Sequence, residues 1–94
     1  MTATRSAAIR ARLQAALTPI DVEVTDESHL HRGHAGARDG RGHFRVRVIS
    51  ECFSGLNRIE RHRLVYDALG ALMQTDIHAL TVSALTREEA AREG

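Results

Sequence analysis

His43-Phe44-Arg45-Val46-Arg47-Val48 is the stretch that decides the fold. Phe and Val occupy every second position with His and Arg between them, so the segment reads as a strand with one apolar and one charged face. Downstream, Ser50 to Leu56 turns the chain through Gly55, and Asn57 followed by Glu60 forms a capping box that opens a helix running to about Met73. At about 100° per residue, Ile59, Val65, Tyr66, Leu69, Leu72 and Met73 gather on one side of that helix. His62 falls in the same stripe and Leu64 falls off it. Ile77 to Ala84 then alternates His78, Leu80 and Val82 against Ile77, Ala79 and Thr81, a third strand, and Thr86 with Glu89 caps a short terminal helix.

Upstream of the central strand, Val22 and Val24 alternate with Asp21, Glu23 and Thr25, which gives a shorter strand with one apolar face. Ile9, Leu13 and Leu17 recur at helical spacing, so about Ser6 to Leu17 forms an amphipathic helix that Pro19 ends. The order is α-β-β-α-β-α. Two strands can pair as a hairpin and a helical crossover delivers the third, so residues 1–94 make one α+β domain with a small mixed sheet packed against helices.

All 13 basic residues are Arg, against 12 acidic ones, for a net charge of +1. Without Lys there is no P-loop phosphate lysine and no Schiff base. The aromatics are Phe44, Phe53 and Tyr66, so the core is aliphatic. A single cysteine, Cys52, makes no internal disulfide, which fits a reducing compartment such as the cytoplasm. No apolar run approaches the roughly 18 residues needed to span a bilayer. Met1 to Leu17 is Arg/Ala/Ser-rich and free of acids, as in an organelle transit peptide, but the helical spacing favours an ordinary first helix.

Six histidines in 94 residues are the chemical anomaly. His29, His31 and His34 lie in the 16-residue, glycine-rich stretch Glu27–Gly42, where a mobile backbone can bring imidazoles onto a metal or leave them solvated. His43 opens the second strand and His78 the third. Because His78 alternates in step with Leu80 and Val82, it reads either as a partly buried strand-end histidine or as a ligand. His62, on the core stripe, reads as a buried histidine donating a ring hydrogen. Cys52 reads as a packed thiol. Arg58, Arg61 and Arg63 with Arg45 and Arg47 form either a basic surface or a set of solvated arginines paired with Glu51, Glu60 and Asp67. Gly33-His-Ala-Gly36 matches the GxxG clamp of KH domains but lies between strands, where that clamp does not belong.

Val24-Thr-Asp26-Glu27-Ser28-His29, His34, His43-Phe44-Arg45-Val46, Phe53-Ser-Gly55, Arg61-His62-Arg63-Leu-Val65-Tyr66 and Ile77-His78-Ala79-Leu80 resemble the BolA family in order and spacing, from about Ile9 to Glu89. The chain departs from the common family loop in carrying Asp39-Gly-Arg-Gly42 where Gly-Ser-Glu-Thr is frequent. The resemblance implies a KH-like (class II) α-β-β-α-β domain. It also implies a non-enzymatic adaptor that pairs with a monothiol glutaredoxin and shares a two-iron two-sulfur (2Fe-2S) cluster. In that arrangement the glutaredoxin and glutathione supply thiolates. The BolA-like chain supplies His78 and a loop ligand, which is His34 by position with His43 as the nearest substitute. A second family activity is transcriptional regulation through DNA, for which Arg58 and Arg61 at the helix start are the candidate phosphate contacts. Neither a membrane nor a small-molecule substrate is expected as a partner.

Overall fold

In the computed structural model, residues 4–27 and 42–93 are described. Helix α1 (Arg5–Leu17) starts where the Thr4 hydroxyl accepts from the Ala7 N–H at 3.0 Å, and it buries Ile9, Leu13 and Leu17. It ends at Leu17, as expected ahead of Pro19, with Thr18 left-handed at φ of 40°. Strand β1 (Asp21–Asp26) pairs antiparallel with β2 (Gly42–Ile49), and β3 (Ile77–Leu85) pairs parallel with β2, giving the order β1-β2-β3.

The registers put like with like. Val22 lies opposite Val48 and Val24 opposite Val46, while Phe44, Val46 and Val48 face Leu80, Val82 and Ala84 across the other side of β2. This apolar face meets α1 and α2 (Arg58–Leu69), and Phe53, Val65, Leu69 and Ile77 complete the core. Full burial of each Val, Leu, Ile or Phe contributes about 1.5–3 kcal/mol, and the sheet and the helices packed on it share that burial. The opposite face carries Glu23, Thr25, Arg45, Arg47 and Thr81.

The capping box at Asn57 forms as expected. Its side chain accepts from the Glu60 N–H, and Glu60 returns a carboxylate to the Asn57 N–H, both at 2.9 Å. The helix does not reach Met73. It ends at Leu69 because Gly70 takes a positive φ of 53°, and the chain re-enters a single turn, α3 (Leu72–Thr75), before β3. The buried stripe of α2 is centred on Val65 and Leu69 rather than between Val65 and Tyr66. At about 100° per residue Tyr66 lies roughly 100° and Ile59 roughly 120° round from Val65, far enough to leave the core. Ile59 is 65% and Tyr66 39% exposed, whereas Leu64, on the other flank, packs against the core.

The terminal helix α4 (Arg87–Glu93) is capped by a reciprocal pair in which the Thr86 N–H donates to Glu89 Oε1 at 2.8 Å and the Glu89 N–H to the Thr86 hydroxyl at 3.3 Å. No helix among the described residues is long and apolar enough to cross a membrane.

Candidate functional site

Alternation along β3 breaks at its first step. Gly42 is opposite Ile77 but His43 is opposite Ala79, so His78 is an extra residue in a β-bulge. The bulge lets Ile77 and Leu80, three residues apart, both face the core. It turns His78 out to the surface, so His78 does not share the face of Leu80 and Val82 as the alternation indicated. The odd step of three between Ile77 and Leu80 is the sequence signal that marks the bulge.

Turned this way, His78 meets His43, the first outward-facing residue of β2. Their ring centroids are 5.2 Å apart with the planes tilted by 49°. His43 is half-buried, and its Nε2 is shielded from solvent. The surrounding backbone is pinned from both sides. The Gly42 N–H donates to the Asp76 carbonyl at 2.9 Å, and the Glu27 N–H to the His43 carbonyl at 2.8 Å. The flanking carboxylates are engaged as well. Asp76 accepts from the Thr75 hydroxyl and from Arg5 Nε at 3.2 Å, and its pKa lies below the usual carboxylate value, chiefly through the Thr75 hydrogen bond. Glu27 accepts from Arg45 Nε at 3.1 Å.

The separation of the rings suits a shared metal. With a metal–nitrogen bond of about 2.1 Å and the nitrogen roughly 1.1 Å from the ring centre, two imidazoles on one tetrahedral ion have centroids about 5 Å apart. Two imidazoles fill two of four tetrahedral positions, and among the described residues no group of three or more His, Cys, Asp or Glu side chains is placed to hold a metal. His34, together with His29 and His31, lies outside the described residues.

The other candidates separate clearly. Arg61, expected as a phosphate contact, is committed to the fold. Its Nε donates to the Leu56 carbonyl at 2.9 Å and its Nη1 to the Ala84 carbonyl at 3.1 Å. The two Nη groups also grip Glu89 at 2.6 and 3.2 Å, leaving 14% of the side chain exposed. That grip is the main reason the Glu89 pKa falls to about 2. Arg58, by contrast, is exposed at the start of α2. Arg45 pairs with Glu27, and Arg47 with Glu93 and Glu23, rather than with Glu51, Glu60 or Asp67. His62 is half-buried beside the stripe and meets Tyr66 edge-on at 6.3 Å instead of lying in the core. Cys52 is exposed, not packed, because its short 3-10 turn (Glu51–Phe53) spends its buried position on Phe53. Sequence reading gave no hint of the cavity of about 460 Å³ between α2, β3 and α4, which Arg58, His62, Val82 and Ser83 help to line.

A model of the family described as BolA-like protein matches residues 13–89. BolA-like protein 1 of Mus musculus is 44% identical over 80 residues, covering 85% of this chain and 56% of its own length. The DNA-binding transcriptional regulator BolA of Escherichia coli is 37% identical over 81 residues, covering 86% of this chain and 74% of its own length. SufE-like protein 1 of Arabidopsis thaliana is 40% identical over 90% of this chain, which corresponds to 24% of that protein. The solved BolA domain of the same Arabidopsis protein superposes with a TM-score of 0.81 at 36% identity, covering 95% of this chain and 99% of the domain. The chain thus spans between a quarter and about half of the length of the first curated relatives it matches.

Proposed function

The chain belongs to the BolA-like family, and from that premise we propose that it is a non-enzymatic adaptor which joins a monothiol glutaredoxin and co-ligates a 2Fe-2S cluster. His78 is one protein ligand. The second is either His34, the position that matches the family pattern, or His43, whose ring stands beside it. The glutaredoxin cysteine and glutathione provide the thiolates. The observation that carries this reading is the His43–His78 pair, two imidazoles 5.2 Å apart at one end of the sheet, brought together by a bulge. Imidazole ligation of this kind raises a cluster's potential and adds a protonatable ligand. The role this supports is iron–sulfur cluster assembly or trafficking, and iron or redox signalling.

Anaerobic reconstitution with a monothiol glutaredoxin and glutathione tests it. The wild-type mixture should show a heterocomplex with visible absorption and circular dichroism from the cluster, and His78→Ala should abolish or recast both spectra. A spectrum indifferent to His78→Ala overturns its assignment as a ligand. His34→Ala and His43→Ala, measured side by side, identify the second ligand by which one changes the spectrum.

The Escherichia coli relative named as a DNA-binding regulator supports a second reading, DNA binding through the start of α2. Of the two arginines expected there, Arg58 is exposed, while Arg61 is held by Glu89 and two carbonyls. A net charge of +1 gives such binding little electrostatic help, so it rests on individual phosphate contacts, which steepen the salt dependence. A gel-shift titration across salt concentrations checks this, and binding that Arg58→Ala leaves unchanged removes the reading.

A further inference from the structure

The two edges of the sheet are treated differently. At the β1 edge, strand addition is blocked at Val22, whose N–H donates to Asp21 Oδ1 and whose carbonyl accepts from Arg10, both at 3.0 Å. The strand also carries Asp21, Glu23 and Asp26, charges that discourage pairing. Strand β3 has no charged residue in Ile77–Leu85. The Leu85 carbonyl accepts from the Ser50 N–H on the β2 side, and the Ala84 carbonyl accepts from Arg61 on the other side. Alternation therefore directs the backbone groups of Leu80 and Val82 away from β2, and no described strand pairs with them there.

We propose that this open length of β3 is a docking site for an extended, acidic segment of another protein, which adds as a fourth strand and lies in the groove between β3 and α2. The groove has the shape and chemistry for such a segment. His62 lines the cavity beneath it with Arg58 and Val82, where Glu89 is neutralised by its pair with Arg61, and at about 100° per residue the exposed Tyr66 and Ile59 continue the His62 flank of α2. Apolar side chains of an added strand pack on that flank, while main-chain pairing to Leu80 and Val82 supplies affinity.

Charge selects the occupant. Arg58 and Arg63 have no carboxylate partner within ion-pair distance among the described residues, although Glu60 and Asp67 lie one turn either side of Arg63, because Glu60 spends its carboxylate on the Asn57 N–H. A second copy of this chain would bring its own Arg58 and Arg63 against the same wall, so like-charge repulsion disfavours self-pairing. An acidic strand gains from the same residues. The inference does not depend on the cluster reading.

The test is a titration of the full chain with a fluorescein-labelled eight-residue peptide of alternating valine and glutamate, followed by anisotropy and by amide NMR. Binding should shift the Leu80 and Val82 amides and slow their hydrogen exchange. The exposed double variant R58E/R63E should weaken binding at least tenfold, and a peptide with lysine in place of glutamate should not bind. Val82→Pro, which removes an outward N–H without touching the β2 ladder, should abolish binding. Should that variant fail to fold, the arginine variant and the exchange data decide. The proposal is overturned if the two amides are unaffected at millimolar peptide, if the lysine peptide binds equally well, if the shifts map to β1, or if sedimentation shows a dimer that protects Leu80 and Val82 without peptide.

Discussion

The two ends of β3 use similar residue types in opposite ways. At the exit, Arg61 is consumed by the protein itself, with two backbone carbonyls and the Glu89 carboxylate taking up its guanidinium. At the entry, a bulge turns His78 to the surface and sets it beside His43. The exit is a latch that fastens α4 and α2 to the sheet, and the entry presents two nitrogen heterocycles on a pinned backbone. A basic residue at a helix start and a histidine at a strand start both read as site candidates. They are told apart by whether the fold directs their polar atoms inward or outward.

The sharpest way to break this contrast is His78→Ala. Being exposed and outside the core, His78 should cost stability no more than about 0.5 kcal/mol when removed. The cluster spectrum of the complex with the glutaredoxin should nevertheless be abolished or recast. Urea unfolding alongside the visible spectrum of the reconstituted complex measures both, and a large stability loss would make His78 a structural residue. Arg61→Ala is the mirror experiment. It takes the Arg61 hydrogen bonds from the Leu56 and Ala84 carbonyls and the charge partner from Glu89, and should lower the urea midpoint clearly more than His78→Ala does while leaving the cluster spectrum of the folded protein intact.

Much of the fold was readable from the order of residues, because each element carries a local signal. The alternation of Phe44, Val46 and Val48, the Asn57–Glu60 box, and the Ile9, Leu13 and Leu17 spacing depend on near neighbours alone. What was missed depends on contacts far along the chain. The break of α2 at Gly70 follows from how the helix hands over to β3. The partner of Arg61 is 28 residues away, and no period announces it. The bulge at His78 was half visible, since Ile77 and Leu80 are both apolar at a spacing that no regular strand permits. Placing His78 beside His43 required the register of β2 against β3, which is a tertiary fact.

The exit latch also predicts a pH dependence. The Glu89 pKa is lowered in the folded chain from 4.5 to about 2 by Arg61 and by the Thr86 cap. The unfolded state therefore takes up the proton first as pH falls. The stabilisation is fully present above about pH 4.5 and is lost as the pH drops toward 2. Urea midpoints measured between pH 6 and pH 2.5 should fall more steeply for the wild type than for Glu89→Gln, which has already lost the charge. Parallel curves would mean that the ion pair adds nothing to the latch.

The smallest effect belongs to the frame of the entry. Arg5, at the start of α1, reaches Asp76 across the site, but its side chain is 43% exposed and that of Asp76 29% exposed. Water and salt screen a pair in that setting, so Arg5→Ala should change stability by about 0.5 kcal/mol or less. The main-chain bond from Gly42 to the Asp76 carbonyl is what fixes the strand entry, and it survives the substitution. The His78 and His43 ring resonances should therefore stay within the range seen for the wild type across 50 to 500 mM salt. If Arg5→Ala instead moves both rings and weakens the cluster spectrum, the entry is held by side chains as the exit is. The contrast between a latched exit and a backbone-pinned entry would then fail.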